Sequence, residues 1–137
     1  MKAPFLVDFA KLTRLNDELA VHVDDSDIDM IAENNDAFHA GLYENYPNRL
    51  LIARLIEIWN EVRMPRNNMY KSEIFTRKTP AEHSAILGGI RSEDPDRAAA
   101  AMSAHYASAR ESAIATFPVS GQFDPGVAAA PFRDAAT

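Results

Sequence analysis

Apolar side chains recur every three to four residues along most of this chain, and the interruptions carry the polar residues and prolines that start helices. That spacing gathers apolar groups on one side of a helix, whereas a half-buried strand would need strict alternation, which no stretch shows. It predicts an all-α fold, an antiparallel bundle of about five to six helices. The chain has 137 residues and no cysteine. Neither a disulfide nor a thiolate-bound metal can hold it, but a single domain of this length buries enough surface to stand on its core alone.

The first helix is expected from about Val7 to Val21, with Leu12, Leu15 and Leu19 as its apolar stripe. DDSD breaks it. Ser26 is the expected cap of the second helix, with Asp29 as its capping-box partner, and Ile28, Ile31, Asn35, Phe38, His39 and Leu42 follow along one side. A third helix begins near Asn48. Leu51, Leu55, Ile58 and Val62 lie on one side of it and Ile52, Ile56 and Trp59 on another, which makes it the expected central helix. Pro65 should end or kink it, and PRNNMYKSEIFTRK reads as a connection with room for one short helix. In TPAEH, Thr79 is the expected cap, Pro80 suits the first helical position and Glu82 completes a capping box. In SEDPDRAAAAMSAH, Asp94 caps and Pro95 opens a last helix reaching about Ala115, whose alanines allow a neighbour to approach closely. Residues 1–117 are expected to form the folded domain and residues 118–137, rich in Pro, Gly and Ala without periodicity, a flexible tail.

The formal charge of −6 argues against a surface that neutralises nucleic-acid phosphates. No apolar run approaches the roughly 20 residues needed to cross a bilayer, so the expected setting is the cytoplasm. HVDDSDIDM lacks the central glycine and closing glutamate of a calcium loop. LGGI and SGQF match no phosphate-binding pattern, and no Ser or Cys nucleophile motif is present.

Three of the four histidines, His39, His83 and His105, fall in expected helices with apolar neighbours on the same face. Asn35 precedes His39 by one turn, the spacing with which a helix points two ligands at one ion, and Asp36 offers the alternative three residues before it. The helices of His83 and His105 can each add an imidazole, giving three histidines plus a carboxamide or carboxylate, a set that bundle cores do host. The competing reading is that each histidine is a packed or hydrogen-bonded core residue. His22, beside acidic residues at a helix end, reads as a surface residue.

The pair Phe38-His39, the helix-opening Asn48, the pair Glu82-His83 and the stretch from Asp94 to Met102-Ser103-Ala104-His105, in this order, resemble the FCD domain, the ligand-sensing C-terminal half of FadR-subfamily GntR transcriptional regulators. The resemblance spans roughly Val7 to Ala115. It implies an antiparallel helical bundle, a homodimer, and a divalent metal, zinc foremost with nickel or manganese as alternatives, held by Asn35, His39, His83 and His105. It further implies that a small carboxylate metabolite completes the metal shell, with Arg54 and Arg63 as candidate clamps on its far end. The family's additional first helix and its winged helix-turn-helix domain have no counterpart here, so DNA would be reached only through a domain absent from this chain. Two alternatives stand beside this reading. One is a metal-free helical dimerisation module, and the other a metal-dependent enzyme in which Asp36 is the carboxylate nearest the histidines.

Overall fold

The computed structural model describes residues 7 to 116, which form six helices and, among the described residues, no strand. They are α1 (Phe9–Asp24), α2 (Ile28–Tyr43), α3 (Arg49–Glu61), α4 (Arg63–Met69), α5 (Glu73–Arg91) and α6 (Pro95–Thr116). The fold is therefore the all-α bundle the periodicity predicts. The tail expected over residues 118–137 lies outside the described residues.

Helix α1 packs on α2 and on α5, α5 packs on α6, and the short α4 closes against α6. Two groups of buried side chains hold this arrangement. Leu12, Phe38 and Leu87 join α1, α2 and α5, while Leu19, Val23, Ile31, Met69, Tyr70 and Phe75 fill the other end. The central helix is thus α5, and the expectation that α3 holds that place is corrected. Only Ile52 of α3 is buried. Leu51, Leu55 and Ile58 are exposed, and Leu50 is 72% exposed, so of the apolar circumference that suggested a central helix this side faces away from the described bundle, while Ile52 and Trp59 turn toward it.

The two tight corners share one construction. After α1, Ser26 takes φ of 56°, its amide donates to the Val23 carbonyl and that of Asp27 to the His22 carbonyl. After α5, Glu93 takes φ of 56°, with its amide on Ile90 and that of Asp94 on Gly89. Each is the paired bond pattern that closes a helix through a left-handed residue. An aspartate follows at once and caps the next helix, Asp27 for α2 and Asp94 for α6. Ser26, expected as the cap of α2, is therefore the turn residue, and Asp27 accepts from the Met30 amide in its place. Asn48 caps α3 as expected, accepting from the Leu51 amide.

The start of α5 is also corrected. Ser72 caps it, seven residues before Thr79, and Pro80 lies inside the helix. Thr79 instead donates its hydroxyl to the Phe75 carbonyl, and Asn16 of α1 donates to the Pro80 carbonyl at 2.8 Å. These bonds anchor the stretch where proline removes one amide donor. Pro65, expected to end or kink α3, lies within α4, since α3 ends earlier at Glu61, and the stretch expected as a connection holds most of α4 and the first turns of α5. Where α5 meets α6, a methyl group on Gly89 would stand 2.6 Å from the Cα of Ala98, so the helices cross there at backbone contact.

Candidate metal centre

Three helices deliver the histidines to one place. His39 comes from the C-terminal half of α2, His83 from α5 and His105 from α6, and one nitrogen of each lies within 4.8 Å of the others. All three side chains are buried. His83 stacks on Phe38 with ring centroids 3.8 Å apart and planes 1° from parallel, so the phenylalanine beside His39 fixes the ring of a different helix. Trp59 lies against His39 at 4.9 Å.

The electrostatics favour neutral imidazoles with lone pairs to offer. Burial lowers the His39 pKa to about 3 and that of His83 to about 2, and the neighbouring imidazoles add to both shifts. Both ring nitrogens of His83 are buried without a hydrogen-bond partner, as is Oδ1 of Asn35. The Asn35 amide donates from Nδ2 to the Tyr70 hydroxyl at 2.8 Å. That bond turns the bare oxygen the other way.

Glu82 has the role that sequence reasoning missed. It lies in mid-helix, with α5 beginning nine residues earlier, and so completes no capping box. His105 donates from Nδ1 to its Oε2 at 2.8 Å. An ionised carboxylate only accepts, so this contact puts a proton on Nδ1 of His105 and turns Nε2 of the same ring toward Nε2 of His39, 3.2 Å away. Two nitrogens each about 2.1 Å from one ion stand roughly 3.0 to 3.4 Å apart at ordinary bond angles. The residues present therefore fit a divalent ion on three counts: the convergence, the orphaned lone pairs and the carboxylate behind one imidazole. The signal in the sequence was the residue before His83, read there only as a helix start.

A cavity of about 310 Å³ opens beside the histidines, and His39, His105, Asn35, Arg66, Tyr70 and Phe75 are among its walls. Arg54 is absent from that lining and pairs with Glu57 on the exposed side of α3. Arg63 is exposed and is absent from it as well. Two cations are in the wall, the exposed Arg110 and the buried Arg66, 5% exposed, which donates to Asp36 at 2.9 Å and to the Trp59 carbonyl at 2.8 Å and lies over the Trp59 ring. Its Nε is buried with no partner. Asp36 pairs with Arg66 through Oδ2, its Oδ1 is buried without a partner, and it does not line this cavity, so Asn35 is the group from α2 that borders it together with His39. His22 sits in the last turn of α1, outside the cluster.

Among known proteins, no curated protein and no solved structure matches this chain significantly. A family model described as FCD domain matches residues 6–108, three quarters of the sequence, a span that includes all three histidines. With that match over an all-α bundle of the same residues, the chain belongs to the FCD domain family, the effector-binding domains of GntR-type regulators.

Proposed function

We propose that this chain senses a small carboxylate metabolite through a bound divalent metal, as the effector-binding and dimerisation part of a transcriptional regulator. The observation that supports this most is the convergence of three buried imidazoles on one point, beside a cavity bordered by Asn35, whose buried Oδ1 has no partner. In this reading Asn35, His39, His83 and His105 hold the ion, with zinc favoured by the nitrogen-rich set and nickel or manganese as alternatives. When bound, the ion supplies an open coordination position for a ligand oxygen.

The chain's own residues do the rest. Glu82 orients His105, Phe38 fixes His83 by stacking, and Tyr70 turns the Asn35 amide. Arg66 replaces Arg54 and Arg63 as the clamp, because its side chain is among the cavity walls and its Nε keeps a donor with no partner. Arg66 also bonds the end of α3 and, through Asp36, α2. A ligand that engages Arg66 therefore bears on the helix whose apolar face is exposed, and that face is proposed as the contact with a second copy of the chain. DNA would be contacted through a winged helix-turn-helix domain outside this sequence.

Metal-stripped protein titrated with zinc, nickel and manganese tests the reading by its melting temperature. A rise that saturates at one equivalent per chain is expected by mass action, with small carboxylates raising it further. No rise with any of the three ions would overturn it. The exposed apolar face of α3 also suits a metal-free dimerisation module, in which case dimer would form without any response to metal.

A further inference from the structure

The walls of the cavity beside the histidines are one-sided in charge. Arg66 and Arg110 are both among them, and no aspartate or glutamate is. Arg66 is buried, lies over the Trp59 ring that also touches His39, and keeps its unpartnered Nε. Arg110 comes from α6, five residues and so about 7.5 Å of helix rise beyond His105. It is exposed, and among the described residues no acid pairs with it. Tyr70 adds a third donor, because its hydroxyl accepts from Asn35 Nδ2 and so still has its own proton to give.

The proposed ligand set deepens the imbalance. Asn35 offers a neutral carboxamide, and histidines bind metal as neutral imidazoles, so the four residues bring no negative charge to a doubly charged ion. Two acids reach the site from outside the cavity walls, Glu82 on Nδ1 of His105 and Asp36 on Arg66. Each answers one positive charge, whereas an occupied site holds two on the ion and one on each arginine. Charge left over beside buried groups is costly until it is paired. A monocarboxylate answers half of the remainder and a dicarboxylate all of it. With one carboxylate at the ion and Arg66, the other falls to Arg110, whose planar fork of donors suits it. A monocarboxylate of the same length would set a methyl group against that guanidinium.

We infer that the effector of this domain is a short dicarboxylate and that Arg110 selects for its second carboxylate. The inference rests on reading the histidine-lined cavity as the effector site. Succinate against butyrate and glutarate against pentanoate, matched in chain length and titrated calorimetrically into the full chain both zinc-loaded and metal-stripped, test it. Water screens an arginine at the surface, so the zinc-loaded protein should favour at least one diacid over its partner by about fivefold or more. Arg110 pairs with no described acid, so Arg110→Gln should keep the wild-type melting temperature and metal content. In that variant the diacid should weaken to the level of its partner, with the monoacid affinity unchanged. Monoacids that bind as tightly as both diacids, or a diacid preference that survives Arg110→Gln, would overturn the inference while leaving the cavity an effector site. The same Arg110-dependent preference in metal-stripped protein would uphold it and remove the metal from the proposed function. Zinc-loaded protein that takes up none of the four acids would overturn the reading of the cavity, and the inference with it.

Discussion

His83 has no exposed surface and no partner for either ring nitrogen. A buried polar group left in that state costs about 1–3 kcal/mol, which a bound ion would offset. The same burial makes the metal-free protein acid-sensitive. The pKa of His39 falls to about 3 and that of His83 to about 2, against 6.5 for an unfolded histidine. Below pH 6.5 the unfolded chain therefore takes up protons that the folded chain refuses, and stability is lost as the pH falls from 6.5 toward 3. With two such groups the slope approaches about 2–3 kcal/mol per pH unit. Denaturant unfolding of metal-stripped protein between pH 8 and 5 should show stability level above about pH 7.5 and declining below 6.5; stability that rises on acidification would contradict these shifts. Glu82 makes a separate prediction. Glu82→Ala should weaken zinc binding by about 10–100-fold in a chelator competition, and Glu82→Gln, which keeps an acceptor for the Nδ1 proton of His105, should weaken it less. Equal affinity in both variants and the wild type would leave Glu82 a surface acid.

At the scale of elements, the site depends on how closely α5 and α6 approach, since one carries His83 and the other His105. Gly89 sets that distance, because any β-carbon there would meet the backbone of Ala98. Gly89→Ala should cost about 1–3 kcal/mol of stability and weaken metal binding in parallel; a variant as stable as the wild type would show that the crossing can relax. This constraint was not legible in LGGI, where neither glycine belongs to a motif. Legibility followed range. The caps Asn48 and Asp94 were readable because a cap bonds three residues away. The three histidines were readable because helical phase placed each on an apolar face. Ser26 reads as a cap and Glu93 carries no signal, because the left-handed position they occupy is usually glycine. Pro80 looked like a helix start because the bond from Asn16, 64 residues away, leaves no trace in local spacing.

For the whole molecule, the hardest feature to read was which helix lies at the centre. Composition made α3 the most apolar-looking candidate, yet an apolar circumference does not say whether it is covered by the same chain or by another. In the structure Leu51, Leu55 and Ile58 are exposed. Exposed apolar faces of this kind mark association surfaces, and the proposed occupant is a second copy of the chain. Leu55→Glu combined with Ile58→Glu should convert a dimer to a monomer in sedimentation analysis without loss of bound metal; a wild-type monomer would refute this assignment of the face. Arg66 was equally hidden in the sequence, since only the packing of α4 against α6 brings that short helix to the cavity.

The central claim is that three helices converge to hold one ion, and metal content measures it most directly. Elemental mass spectrometry of the purified, tag-free chain should find about one divalent ion per chain, lost in His83→Ala and His105→Ala and retained in His22→Ala. Wild-type protein that is folded, metal-free and cannot be reconstituted with zinc, nickel or manganese would contradict the claim and leave the histidines as packing alone.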